Sequence, residues 1–108
     1  MLDIYYAGPF TTLMPRNPGH LELAGSIDLR AHRSLATLFD KGRQAGADLR
    51  YFEDSMLKPA QVTMLLETFT ANLRELQGDR QALAAFDMMR GLFEGAVSRG
   101  MGLVAFAD

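Results

Sequence analysis

The chain has no cysteine. That absence removes disulfides, thiolate nucleophiles and cysteine-ligated zinc together, and it fits a reducing compartment. A basic excess is missing too. Net charge is −2, whereas a protein that tracks phosphates shows surplus lysine and arginine or a clustered basic face. The one local group, Arg30, Arg33, Lys41 and Arg43, is interrupted by Asp40 and reads as a solvated helix face. No nucleic-acid partner is expected. No apolar run approaches the roughly 18 residues of a membrane span, so no membrane partner is expected either. The start, Met1-Leu2-Asp3, has neither the basic nor the apolar region of a signal peptide. The expected location is cytoplasmic.

Histidine is scarce, with two in the chain. Neither His20 nor His32 stands in H-E-x-x-H or a comparable spacing, and a zinc site needs about three protein ligands. His32 reads as a residue near a helix start in polar surroundings. No serine has a G-x-S-x-G context. Gly42–Gly46 and Gly100-Met101-Gly102 match no phosphate-cradling loop and read as helix ends. No metal, cofactor or catalytic residue is expected.

What is present describes one domain, residues 1–108. Hydrophobic content is 48% and charged content 22%, an ordinary globular balance that argues against disorder. A chain of this length buries roughly two thirds of its unfolded surface.

Residues 2–7, LDIYYA, are aromatic and β-branched and read as a first strand. Residues 8–19 hold Pro9, Pro15, Pro18, two glycines and Asn17, which is loop chemistry. Residues 21–29 read as a second strand, with Leu21, Leu23, Ile27 and Leu29 on one face if Gly25 is tolerated or bulged. The spacing of Leu35, Leu38, Phe39 and Gly42 predicts a helix over 32–45, with Gly46 at its C′ position. Residues 48–54 fit a short strand or an extended connection. Pro59 opens a helix with a stripe of Val62, Leu65, Leu66, Phe69, Leu73 and Leu76, ended by Gly78. Asp79 caps a last helix running to about Arg99. Its apolar face is widened by Met88 and Leu92. Gly91 and Gly95 make a flat ridge on it, for close packing within the domain or for a partner. Residues 103–106 read as a final strand. This order predicts an α+β fold, a small, mostly antiparallel sheet with three helices packed on one face.

Aromatic and methionine side chains are enriched at binding surfaces, and the chain has seven methionines. Phe10, Leu13 and Met14 are apolar for a loop. Asp48, Glu53 and Asp54 with Arg50 and Tyr51 make a short acidic and aromatic stretch. Its carboxylates lack the pocket that acid–base chemistry needs, and on an extended chain neighbouring side chains point opposite ways. They suit a basic partner surface instead.

The stretch DLRYFEDSMLKPAQV (48–62), followed by Leu65-Leu66, and the ending GLVAFAD (102–108) after an amphipathic helix resemble one kind of small bacterial protein. These are the compact immunity proteins that neutralise a cognate toxin of contact-dependent or type VI secretion systems. The resemblance implies a stoichiometric, non-enzymatic binder that occludes a toxin, and it assigns no residue position by position. The expected contact surface is Asp48, Arg50, Tyr51, Glu53 and Asp54, with Phe10 and Met14 as apolar anchors. The expected partner is a protein, which the resemblance implies is a cognate toxin; a homodimer is the other assembly open to the chain. The competing reading is a small α+β enzyme or ligand carrier with a pocket between sheet and helices, using His20, His32 or Glu53.

Overall fold

The computed structural model describes residues 1–107. Four strands form one antiparallel sheet: β1 (Leu2–Ala7), β2 (Leu23–Ile27), β3 (Ser55–Leu57) and β4 (Gly102–Ala107), in the order β2-β1-β4-β3. The helices are α1 (Leu29–Ser34), α2 (Ala36–Ala45), α3 (Pro59–Ala71) and α4 (Arg80–Ser98), with a 3₁₀ turn at Leu73–Leu76. This is the expected α+β arrangement. The two central strands, β1 and β4, are distant in sequence, because β4 inserts between β1 and β3.

The pleat sets which side chains meet the helices. Leu2 and Ile4 of β1, Ile27 of β2 and Leu103 and Ala105 of β4 point to one face and join the core cluster. Helix residues close over them. Phe69 of α3 sits at the centre, with ring centroids 5.1 Å from Phe39, 6.1 Å from Phe86 and 5.2 Å from Phe93. Phe69, Phe86 and Phe93 are each essentially unexposed, so the space between sheet and helices is filled by side chains.

Several boundaries differ from the sequence expectation, each for a local reason. The second strand covers Leu23–Ile27, not 21–29. Gly25 faces Ile4 while Leu23 faces Tyr5, so the register shifts by one residue between them. The shift turns Leu23 to the face opposite Ile27 and leaves it 54% exposed. Asp28 then caps α1 by accepting from the Ala31 N–H at 2.7 Å, which draws Leu29 into a helix.

The helix expected over 32–45 is two helices, α1 and α2, meeting at Leu35, whose φ of −108° and ψ of 14° are not helical. Leu35 is fully buried and fixes the corner. Residues 48–54 form no strand; they are a bent connection, and β3 begins only at Ser55. α3 stops at Ala71, where Asn72 caps it and receives Lys41 Nζ at 2.8 Å. The 3₁₀ turn that follows rotates Leu73 off the buried stripe, while Leu76 stays in it. On α4, Leu92 is buried but Met88 is exposed.

Other local signals hold. Asp79 accepts from Ala82 N–H at 3.0 Å at the start of α4. Gly46 takes the left-handed conformation at the end of α2, φ 106°. Gln61 of α3 accepts from the Lys58 N–H and donates to the Gly46 carbonyl, tying the start of one helix to the end of another. No helix among the described residues is long and apolar enough to cross a membrane.

Candidate functional site

The bend of residues 48–52 lies beside the corner between α1 and α2. Together they form an open concavity of about 340 Å³. Asp48, Arg50 and Tyr51 line it, as does the neighbouring Phe52; helix residues His32, Arg33, Phe39 and Arg43 complete it. Other surface concavities, one bounded by Thr70, Leu73, Arg74 and Leu83 and one by Arg30, Gln81, Ala84 and Met88, hold no aromatic ring.

The corner explains the centre of the site. In a straight helix, residues seven apart stand roughly 10 Å apart along the axis. Turning at Leu35 brings the His32 ring onto Phe39 instead, with centroids 4.2 Å apart and planes 9° from parallel. The Leu49 carbonyl accepts from His32 Nε2–H at 3.3 Å, so a neutral ring carries its proton on Nε2. Burial lowers the His32 pKa; the Leu49 hydrogen bond and the charge of Asp40 pull weakly the other way. Tyr51 tilts over the histidine at 5.5 Å and packs against the core, and Phe52 meets Tyr51 edge-on at 5.0 Å. Phe52 itself is 74% exposed.

The charges of this stretch are committed to one another. Arg50 Nε donates to Asp48 at 2.7 Å, and its Nη1 reaches Glu53 at 3.4 Å. These contacts, Asp48 first, raise the Arg50 pKa. Asp54 accepts the backbone N–H of Ala107 at 2.9 Å, so it closes the edge of β4 and takes no part in the concavity. Asp40 lies 3.5 Å from Arg43.

The anchors expected in the β1–β2 loop stand elsewhere. Antiparallel pairing puts Ala7 beside Gly102 and Leu2 beside Ala107. The loop therefore leaves one end of the sheet, while residues 48–54 feed β3 at the other, roughly 17 Å away along a six-residue strand. Phe10 is 91% exposed at that far end, Leu13 is similarly open, and Met14 is half-buried. Asp48, Arg50, Tyr51 and Glu53 thus form one constellation, and Phe10 and Met14 belong to a different surface. His20 lies in the loop as well, remote from His32.

Sequence reasoning placed His32 in polar surroundings; it is half-buried in an aromatic stack. It also left Phe39 and Arg43 to the helix. The seven-residue spacing of His32 and Phe39 was a visible signal, but only the break at Leu35 makes it a contact. Among the described residues no group of three or more histidine, aspartate or glutamate side chains is placed to hold a metal ion. A scan of the chain against protein-family models gives no match, and neither does a search of curated proteins or of solved structures.

Proposed function

We propose that the chain is a non-enzymatic protein-binding domain that uses the concavity lined by residues 48–52, with Glu53 paired to Arg50, as its contact surface. The observation that carries this is Phe52. A large ring stands 74% exposed on the rim of an aromatic-floored concavity beside an arginine bound by two carboxylates. Exposed aromatic and arginine side chains on fixed backbones lose little freedom on binding and commonly dominate contact energies. The filled space between sheet and helices favours this over a ligand pocket there. His32 donates to a backbone carbonyl and stacks on a ring, an arrangement that orients it for packing.

The specific form of the proposal is an immunity protein: a cytoplasmic, one-to-one binder that occludes a cognate bacterial toxin. Its support is the sequence resemblance over 48–62 and 102–108 together with this surface. The test is capture on the tagged chain. A single protein should co-elute at equal stoichiometry, be harmful when expressed alone and become harmless when this chain is co-expressed. A partner that is harmless alone would leave a binding domain and remove the immunity role.

A further inference from the structure

We infer that the concavity receives an acidic, apolar segment of the protein partner, a carboxylate side chain beside an aromatic or aliphatic one, with Arg33 meeting the carboxylate. This rests on the reading of the concavity as a protein contact surface. It reverses the polarity that the acidic stretch alone implies.

The acids near the site are already engaged. Asp48 and Glu53 hold Arg50, Asp40 holds Arg43, and Asp54 is bound to a backbone N–H. A basic partner side chain would meet the like charge of the arginine already held at each of these carboxylates. Arg33 is different. It sits in the last turn of α1, lines the concavity, is exposed, and has no carboxylate partner among the described residues. Arg43 is matched by Asp40 and Arg50 by Asp48 and Glu53, so the guanidinium left without a carboxylate at the concavity is Arg33.

The remaining wall is apolar: Leu29, Phe39, Leu49, Tyr51 and Phe52. An occupant with a carboxylate alone would waste it, and an occupant with a ring alone would waste Arg33. A carboxylate pairs with the Arg33 guanidinium in a bidentate way.

The probe is N-acetyl-aspartyl-phenylalanine amide, titrated into the full chain with resonance shifts of arginine Nε–H, histidine and aromatic groups as readout. The asparaginyl and lysyl analogues and adenosine monophosphate serve as comparisons. Shifts should concentrate on His32, Arg33, Tyr51 and Phe52. The aspartyl probe should bind up to about fivefold tighter than the asparaginyl one, the range of a single exposed ion pair. Arg33→Gln should erase that preference and keep the residual binding of the ring, while Arg30→Gln, on the same helix but outside the concavity, should keep both. Equal binding of the two probes, preference for the lysyl probe, or tighter binding of the nucleotide overturns the inference. So does an unchanged preference in Arg33→Gln. If no dipeptide binds yet protein capture still depends on Arg50 and Phe52, the acidic-segment inference fails while the contact surface stands. Loss of that dependence removes both.

Discussion

Two glycines four residues apart on α4 do different things. A Cβ on Gly95 would stand 2.7 Å from the Tyr6 hydroxyl. Retreat of that ring would disturb its contact with the Arg99 guanidinium, 4.4 Å above it and bound to Glu22 at 2.8 Å. The Glu22 contact is also what raises the Arg99 pKa most. Gly91 meets nothing within 4 Å and is exposed. Gly91→Ala should therefore raise stability by about 0.5–1 kcal/mol through helix propensity alone. Gly95→Ala should fall below it by about 1–2 kcal/mol, the cost of overpacking offsetting the same propensity gain. Chemical denaturation of the two variants checks this; equal midpoints would contradict the packing account. The ridge expected from the sequence is thus a close approach at Gly95 and open surface at Gly91. Spacing alone shows the pair of glycines, and only the position of Tyr6 tells them apart.

His32 makes a second prediction at this scale. Burial lowers its folded pKa below the ordinary 6.5, so the unfolded chain binds more protons once pH falls past that value. Its contribution to stability is complete at neutral pH and is lost as pH drops from about 6.5 through the folded pKa. Thermal melts between pH 7 and pH 5 should show a falling midpoint in the wild type. His32→Phe, which keeps a ring on Phe39, should lose that part of the slope. Identical slopes would contradict the burial of His32.

At the scale of elements, the sequence was read well where periodicity and caps agree, as at Asp79, Gly46 and the stripe of α3. It was read less well where one residue changes direction. Leu35 fits a continuous helical pattern because its side chain is buried either way; the pattern does not see that its ψ of 14° turns the chain. Leu23 fits the alternation of a longer strand, and the extra residue at Ala24 reverses its face. Residues 48–54 carry strand-like alternation yet curve, because their contacts are side-chain pairs and the His32–Leu49 bond, with no ladder partner. The pairing of β3 with β4 rests on another close approach. A Cβ on Gly102 would lie 2.4 Å from the Leu57 carbonyl oxygen, a backbone atom that moves only with its strand. Gly102→Ala should cost about 2–3 kcal/mol, and amide exchange should rise first at Ser55–Leu57. A loss of stability spread evenly over the sheet would place the strain elsewhere.

Over the whole molecule, the sheet separates two surfaces that the sequence joined into one. The β1–β2 loop with Phe10 and Leu13 leaves one end, and the concavity of residues 48–52 occupies the other. The members of the concavity within 48–52 were legible because they are consecutive. Its helix side was not, because His32, Arg33, Phe39 and Arg43 reach it only through the turn at Leu35. The division also orders the experiments. Tyr51 packs against the core as well as the site, so its removal mixes folding with binding. Arg50 and Phe52 are exposed and separate the two.

The most direct measurement is the affinity of the captured partner for the Arg50→Ala, Phe52→Ala double variant, beside a Phe10→Ala, Leu13→Ala variant of the opposite end. The concavity account predicts that the first loses more than about 2 kcal/mol of binding with an unchanged thermal midpoint, the size of a contact hot spot, and that the second binds like the wild type. Full affinity in the first variant, with the loss appearing in the second, would contradict it.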